Sequence, residues 1–271
     1  MTAAAPQRPR LFRAPSVVLF LLCLMYFLTY IDRVNTATAG PQIQKEFGLS
    51  NTQLGLVFSG FAYPYAIFQV IGGWVGDRMG PRKTLLICGT IWALSTAITG
   101  LSVGLISLFV FRIALGFGEG ATFPTATRAM QSWTPVGQRG FAQGVTHSFA
   151  RLGNAVTPPL VAALMAWWNW RGAFLVLGVI SMVWVIGWWL YYRDDPRDHA
   201  AITPEDLARL PPPGAAKPAA RRVPWGRLIP RMLPVTITYF CYGWSLWLFL
   251  NWLPSFFLKE LHQDIKKSAL Y

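Results

Sequence analysis

Asp32 and Arg33 stand at the inner end of an apolar-rich run, in MYFLTYIDRVN at residues 25–35, and Arg112 and Glu119 are seven residues apart in LFVFRIALGFGEGATFP. Seven residues make two helical turns, so Arg112 and Glu119 project from one helix face, about 10.5 Å apart along the axis. A charge at the centre of a bilayer costs roughly 2.5–3.5 kcal/mol even on the lenient insertion scale, so these residues should face a bundle interior or an aqueous cavity. Of the eleven acidic residues, only Asp32 and Glu119 lie well inside long apolar runs. Burial favours the protonated form of a carboxyl group and a neighbouring cation favours the ionised form, so two buried acids beside buried arginines are equipment for taking up and releasing protons. A guanidinium fork binds both oxygens of a carboxylate and stays charged when buried, which makes Arg33 and Arg112 candidates for holding an anion. The competing reading of the same four residues is a structural ion-pair network that only joins helices.

Elements able to bury such charges are plentiful. The 271 residues are 54% hydrophobic and 13% charged, against about a quarter charged in a typical soluble domain. Runs long enough to cross a bilayer, about 20 mostly apolar residues, lie at roughly 16–41, 52–76, 83–103, 105–130, 140–166, 171–192 and 231–258. The first could also be read as a secretory signal, since Arg8, Arg10 and Arg13 precede it and Ala37-Thr38-Ala39 resembles a cleavage site, but six further runs follow and Asp32-Arg33 interrupts the region before that site. The thirteen Trp and eighteen Phe, many at run ends, suit headgroup level. Cys23, Cys88 and Cys241 fall inside apolar runs and read as small hydrophobes, with no disulfide or metal spacing. The net charge of +13 is scattered between runs and forms no stripe for nucleic acid.

With the N-terminus inside, the basic residues of the even-numbered loops, from Arg78, Arg82 and Lys83 through Arg139 to the cluster from Arg193 to Arg227, all face the cytoplasm, and the external loops hold little beyond Lys45, Arg171 and Lys259. Residues 193–230 read as a solvated linker with one short amphipathic helix near 204–210 opened by Thr203-Pro-Glu-Asp. Six runs, a long basic linker, one further run and an end at Tyr271 form an unfinished pattern, so the expectation is a chain cut short.

Between the second and third runs, GGWVGDRMGPRKTL places Gly73, Asp77, Arg78, Gly80, Arg82 and Lys83 in a short loop where glycines permit close helix approach and basic residues pin the loop to one side. This spacing strongly resembles the loop signature of the major facilitator superfamily. Within it, Tyr-Ile-Asp32-Arg33-x-Asn35 together with Arg112 through Glu119-Gly-x-x-Phe-Pro124 resembles the anion:cation symporter family, whose bacterial members carry galactonate, glucarate, hexuronates, tartrate or aromatic carboxylates, generally with protons.

The resemblance implies an all-α integral membrane protein: a cytoplasmic tail at 1–15, a six-helix N-terminal bundle over 16–192, the linker at 193–230, the first helix of a second bundle at 231–258 and an external stub at 259–271. It implies proton binding at Asp32 and Glu119 and substrate or gating roles for Arg33, Arg112 and Asn35. It also implies a monomer in a bacterial inner membrane that needs the rest of a second bundle, with a small carboxylate and H+ as partners and no cofactor, metal or nucleic acid.

Further candidates line the remaining runs. His147, Arg151 and Asn154, at i, i+4 and i+7, form one helical stripe, although His147 can be satisfied locally and Arg151 can snorkel. Tyr242 and Asn251 in the seventh run offer hydrogen bonds, and the resemblance implies that this helix lines a central cavity, while packing is the plainer role for each. Pro64, Pro124, Pro158 and Pro254 are expected to kink their helices. Gly153-Asn-Ala-Val-Thr-Pro158-Pro159 departs from the drug/proton antiporter pattern, which weighs against efflux of that kind. No hydrolase, zincin or phosphate-loop motif points to an enzyme. An anion-sensing receptor and an exporter of an acidic metabolite remain open beside the symporter.

Overall fold

The computed structural model describes residues 13–212 and 224–261. Arg8 and Arg10 of the tail, Lys217, Arg221 and Arg222 of the linker, and most of the stub lie outside the described residues. Every regular element among the described residues is helical: α1 (Ala14–Phe47), α2 (Asn51–Met79), α3 (Pro81–Thr99), α4 (Leu105–Gly120), α5 (Thr122–Trp133), α6 (Arg139–Tyr191), the short α7 (Pro204–Arg209) and α8 (Trp225–Lys259).

Local chemistry sets the boundaries. α1 stops at Gly48, which takes the left-handed conformation (φ 64°, ψ 31°) that glycine adopts without a side-chain penalty. α2 opens with a capping box, Ser50 Oγ accepting from the Gln53 N–H and Gln53 Oε1 from the Ser50 N–H. It ends at Gly80, whose φ of 82° reverses the chain into Pro81, the first residue of α3. Thr203 caps α7 by accepting from the Asp206 N–H.

Two runs differ from a plain spanning helix. The run at 105–130 breaks at Ala121, between α4 and α5, where Pro124 has no N–H to return to the carbonyl of Gly120 and the glycines before it weaken the helix. α6 holds two limbs, because Trp168 (φ −132°, ψ 15°) and Asn169 (φ 60°, ψ 179°) leave helical geometry. The backbone stays helical through Pro158-Pro159, so the bend expected there lies ten residues later. Asn169 Oδ1 accepts from the N–H groups of Arg171 and Gly172 and so caps the second limb.

In the bundle α1 packs on α6, α2 on α4, and α3 between α4 and α6. Glycines set the closest approaches: a Cβ on Gly116 would meet the Phe61 carbonyl oxygen at 2.5 Å, and one on Gly153 the Phe27 carbonyl oxygen at 2.5 Å. An aromatic column runs along the second limb of α6, with Trp92 on Trp184 at 5.6 Å between centroids, Trp184 on Trp188 at 5.7 Å and Trp188 on Tyr192 at 4.0 Å. At the far end from the linker, Arg171 donates to the Gly100 and Ser102 carbonyls at 3.0 and 2.6 Å and to Glu46 Oε1 at 2.6 Å, while Trp170 donates to Glu46 Oε2.

α8 is exposed along most of its length, touching the bundle through Tyr242, Trp247 and Trp252. Five stretches of described helix are long and apolar enough to cross a membrane: α1, α2, α4 with α5, α6 and α8. α6 supplies two limbs, and α3 lies within the same bundle, so the protein is a multi-pass membrane protein.

Candidate functional site

About two turns of α1, residues 30–36, carry the centre of the site. Adjacent residues on a helix point about 100° apart, so Asp32 and Arg33, neighbours in sequence, take different partners. Arg33 reaches across to α4, its Nε donating to Glu119 Oε2 at 3.1 Å, with both side chains buried. Aromatic rings enclose its guanidinium: the Tyr65, Tyr30 and Phe123 centroids lie 4.5, 4.7 and 5.0 Å away.

Asp32 sits in a relay of neutral donors. Trp92 Nε1 donates to its Oδ2 at 2.5 Å, and Asn35 Nδ2 donates to its Oδ1 at 3.0 Å. Thr36 Oγ1 donates to Asn35 Oδ1 at 3.0 Å, and Arg112 Nη1 donates to Thr36 Oγ1 at 3.0 Å and to the Asp32 carbonyl at 3.4 Å. Arg112 therefore senses Asp32 through two intervening side chains. Glu119, two turns along the same helix from Arg112, pairs with Arg33 instead.

The cluster has two acids, two arginines and unused capacity. Arg33 Nη2, Arg112 Nε and Glu119 Oε1 are buried without a hydrogen-bond partner. Each such atom costs about 1–3 kcal/mol or more when charged, so a purely structural network would be expected to close them. Protonation of Glu119 would remove the counter-charge that occupies Arg33.

The outlying candidates separate into two groups. His147 is exposed, with Nδ1 against its own helix at the Gln143 carbonyl, and borders a cavity of about 390 Å³ with Gln69, Phe123 and Gln143. Asn251 is buried and donates to the Trp247 carbonyl four residues back, a contact within α8. By contrast, Arg151 donates to the Tyr242 hydroxyl at 2.6 Å, joining α6 to α8, and Asn154 keeps its buried Oδ1 without a partner.

The loop motif forms a distinct cluster. Asp77 pairs with Arg128 of α5 at 2.9 Å, and Arg78 stacks on Trp74 at 4.0 Å. Arg82 donates to the Trp189 carbonyl at 3.0 Å and lies 4.1 Å from the Trp189 ring centroid. Its backbone N–H donates to Asp194, a carboxyl held above its ordinary range by burial beneath this loop. Gly73 packs on Pro124, a Cβ there meeting the ring at 3.3 Å, and Lys83 is exposed.

Tyr30 and Phe123 belong to the two motifs quoted above and Tyr65 adjoins Pro64, whereas neither charge nor motif points to Trp92, Thr36 or Phe61. The signal for Trp92 was its position in the middle of a run, where an interfacial role does not apply.

The Major Facilitator Superfamily description matches residues 22–271. The chain belongs to the Major Facilitator Superfamily. Its curated relatives include transporters named for organic anions. It is 49% identical over 257 residues to the probable sulfoacetate transporter SauU of Cupriavidus necator, covering 94% of this chain and 60% of that protein. It is 32% identical over 256 residues to the hexuronate transporter of Bacillus subtilis, covering 94% and 59%. To a D-galactonate transporter of Escherichia coli it is 32% identical over 276 residues, covering 96% and 62%. This member of the superfamily thus spans about three fifths of the length of these relatives. Its fold matches a bacterial homologue of the human lysosomal transporter Spinster with a TM-score of 0.78 at 21% identity, over 99% of this chain and 59% of that one.

Proposed function

We propose that this chain forms the substrate-facing bundle, linker and seventh helix of a secondary transporter that takes up small organic anions with protons by alternating access in a bacterial inner membrane, N-terminus inside. The observation that carries the reading is the buried Arg33–Glu119 contact with Arg33 Nη2 and Glu119 Oε1 left over. An anion and a proton serve the same pair: a proton on Glu119 releases Arg33 to hold a carboxylate, and loss of the anion lets Glu119 ionise again. Asp32, held by Trp92 and Asn35 and linked through Thr36 to Arg112, is the second proton-carrying group. The named substrates of the relatives, sulfoacetate, hexuronate and galactonate, are organic anions, and sulfoacetate is the first to try. A second helical bundle covering exposed α8 completes the transport unit.

The test pairs this chain with the second half of the sulfoacetate transporter relative in proteoliposomes and follows labelled sulfoacetate and galactonate under an acid-outside gradient. Accumulation that collapses when the gradient is removed, and that Glu119→Gln uncouples from pH, supports the reading. Unchanged pH-driven accumulation in Glu119→Gln would remove Glu119 from the coupling, and uptake of neither anion would overturn transport.

A further inference from the structure

The bundle holds a third arginine on the ring that Arg33 uses. Tyr30 has the Arg33 guanidinium 4.7 Å from its centroid and that of Arg151 5.9 Å from it, so two cations flank one tyrosine side chain. Their situations differ. Arg33 is buried and bonded to Glu119, and Arg112 is buried and bonded to Thr36 and a backbone carbonyl. Arg151 is exposed, its side-chain hydrogen bond goes to the neutral hydroxyl of Tyr242, and among the described residues no carboxylate is within ion-pair distance of it. An exposed guanidinium on an apolar helix, with no carboxylate in ion-pair range among the described residues, is poised for an anion from outside the chain.

We propose that Arg151, with Tyr242 and Asn154, is a second anion subsite, which takes the distal charged group of a small organic dianion whose other end is held at Arg33. The idea rests on the transport reading above and narrows its substrate class to short dicarboxylates and sulfocarboxylates. Arg151 supplies a planar fork matched to either group. Tyr242 can turn its hydroxyl from accepting Arg151 to donating to the same anion. Asn154 lies one turn away, and its amide, whose buried Oδ1 has no partner, offers Nδ2 when turned over. The two guanidinium carbons lie 4.7 and 5.9 Å from one ring centroid, hence no more than 10.6 Å from each other, a gap that two anionic groups on a short spacer can bridge. Since Tyr242 belongs to α8 and Arg151 to α6, an anion inserted between them also reports its presence to the seventh helix.

The test measures binding by calorimetry to the purified chain in lipid nanodiscs, with sulfoacetate and malonate as dianions and acetate as the single-charge control. The wild type should bind the dianions at least about tenfold more tightly than acetate, and Arg151→Gln should reduce that preference to less than about twofold. Equal wild-type affinity for dianions and acetate would overturn the subsite, and this measurement needs no variant to fold. An Arg151→Gln chain that keeps the preference, or that loses dianion and acetate binding alike with its melting temperature unchanged, would also overturn it. If acetate binds and only the preference is missing, the subsite fails and the transport reading stands. No binding of any of the three anions would count against both.

Discussion

Arg33 of α1 and Glu119 of α4, eighty-six positions apart, meet at 3.1 Å in the interior of the bundle, each with one polar atom left unpartnered. Breaking a buried pair from one side leaves an uncompensated charge, which costs about 3–5 kcal/mol. Glu119→Gln and Arg33→Gln should each lower the melting temperature in detergent, whereas the double variant should recover most of the loss. A double variant that loses the sum of the two would show that the residues are not coupled.

Trp92→Phe tests the support of Asp32. The change removes the Nε1 donor and keeps most of the aromatic packing on Trp184. An acceptor deprived of its donor in a buried site costs about 1–3 kcal/mol, so thermal stability should fall by that amount. Asp32→Asn in the same background should recover part of it, because the neutral amide needs the indole less.

Glycine contacts give a paired prediction. Gly116→Ala and Gly153→Ala each force a methyl group against a carbonyl oxygen of the facing helix and should reduce the yield of folded protein severely. Gly187→Ala, where a Cβ would meet nothing within 4 Å, should be neutral or stabilising by up to about 1 kcal/mol through helix propensity. Size-exclusion recovery of the three variants side by side decides it.

Acid sensitivity is expected at the linker end. His199 lies against Trp133 and Tyr191 at 5.3 and 4.6 Å between centroids, and its Nδ1 accepts from the Ala201 N–H, which requires an unprotonated nitrogen. Burial and the nearby Arg193 push the His199 imidazole below its ordinary value of 6.5, so the unfolded chain takes the proton first. The stability it contributes is complete above that ordinary value and declines as the pH falls through and below it. Comparing melting at pH 7.5 and 5.5, His199→Gln should show a smaller acid loss than the wild type.

Sequence alone showed the apolar runs, the loop motif and the four charged residues, because a run of about twenty apolar residues and a charge within it are local properties. The partners of those charges were not legible. Asp32-Arg33 reads as a neighbouring pair and Arg112–Glu119 as a matched face, yet helix rotation separates the first and the approach of α1 to α4 re-pairs the second. Nothing in the run around Trp92 shows that its indole lies beside Asp32, because that contact joins residues sixty positions apart. The break at Trp168–Asn169 was located as a gap between runs, but its capping by the Asn169 side chain depends on a backbone conformation that residue type alone does not dictate.

The contacts of Arg171 bear on how this bundle can change shape. One guanidinium, at the start of the second limb of α6, bonds to the end of α1 and the turn after α3, so parting any of these three segments must first break its hydrogen bonds. α8, by contrast, is moored to the bundle by aromatic contacts and one hydroxyl, so fewer polar bonds stand against its displacement.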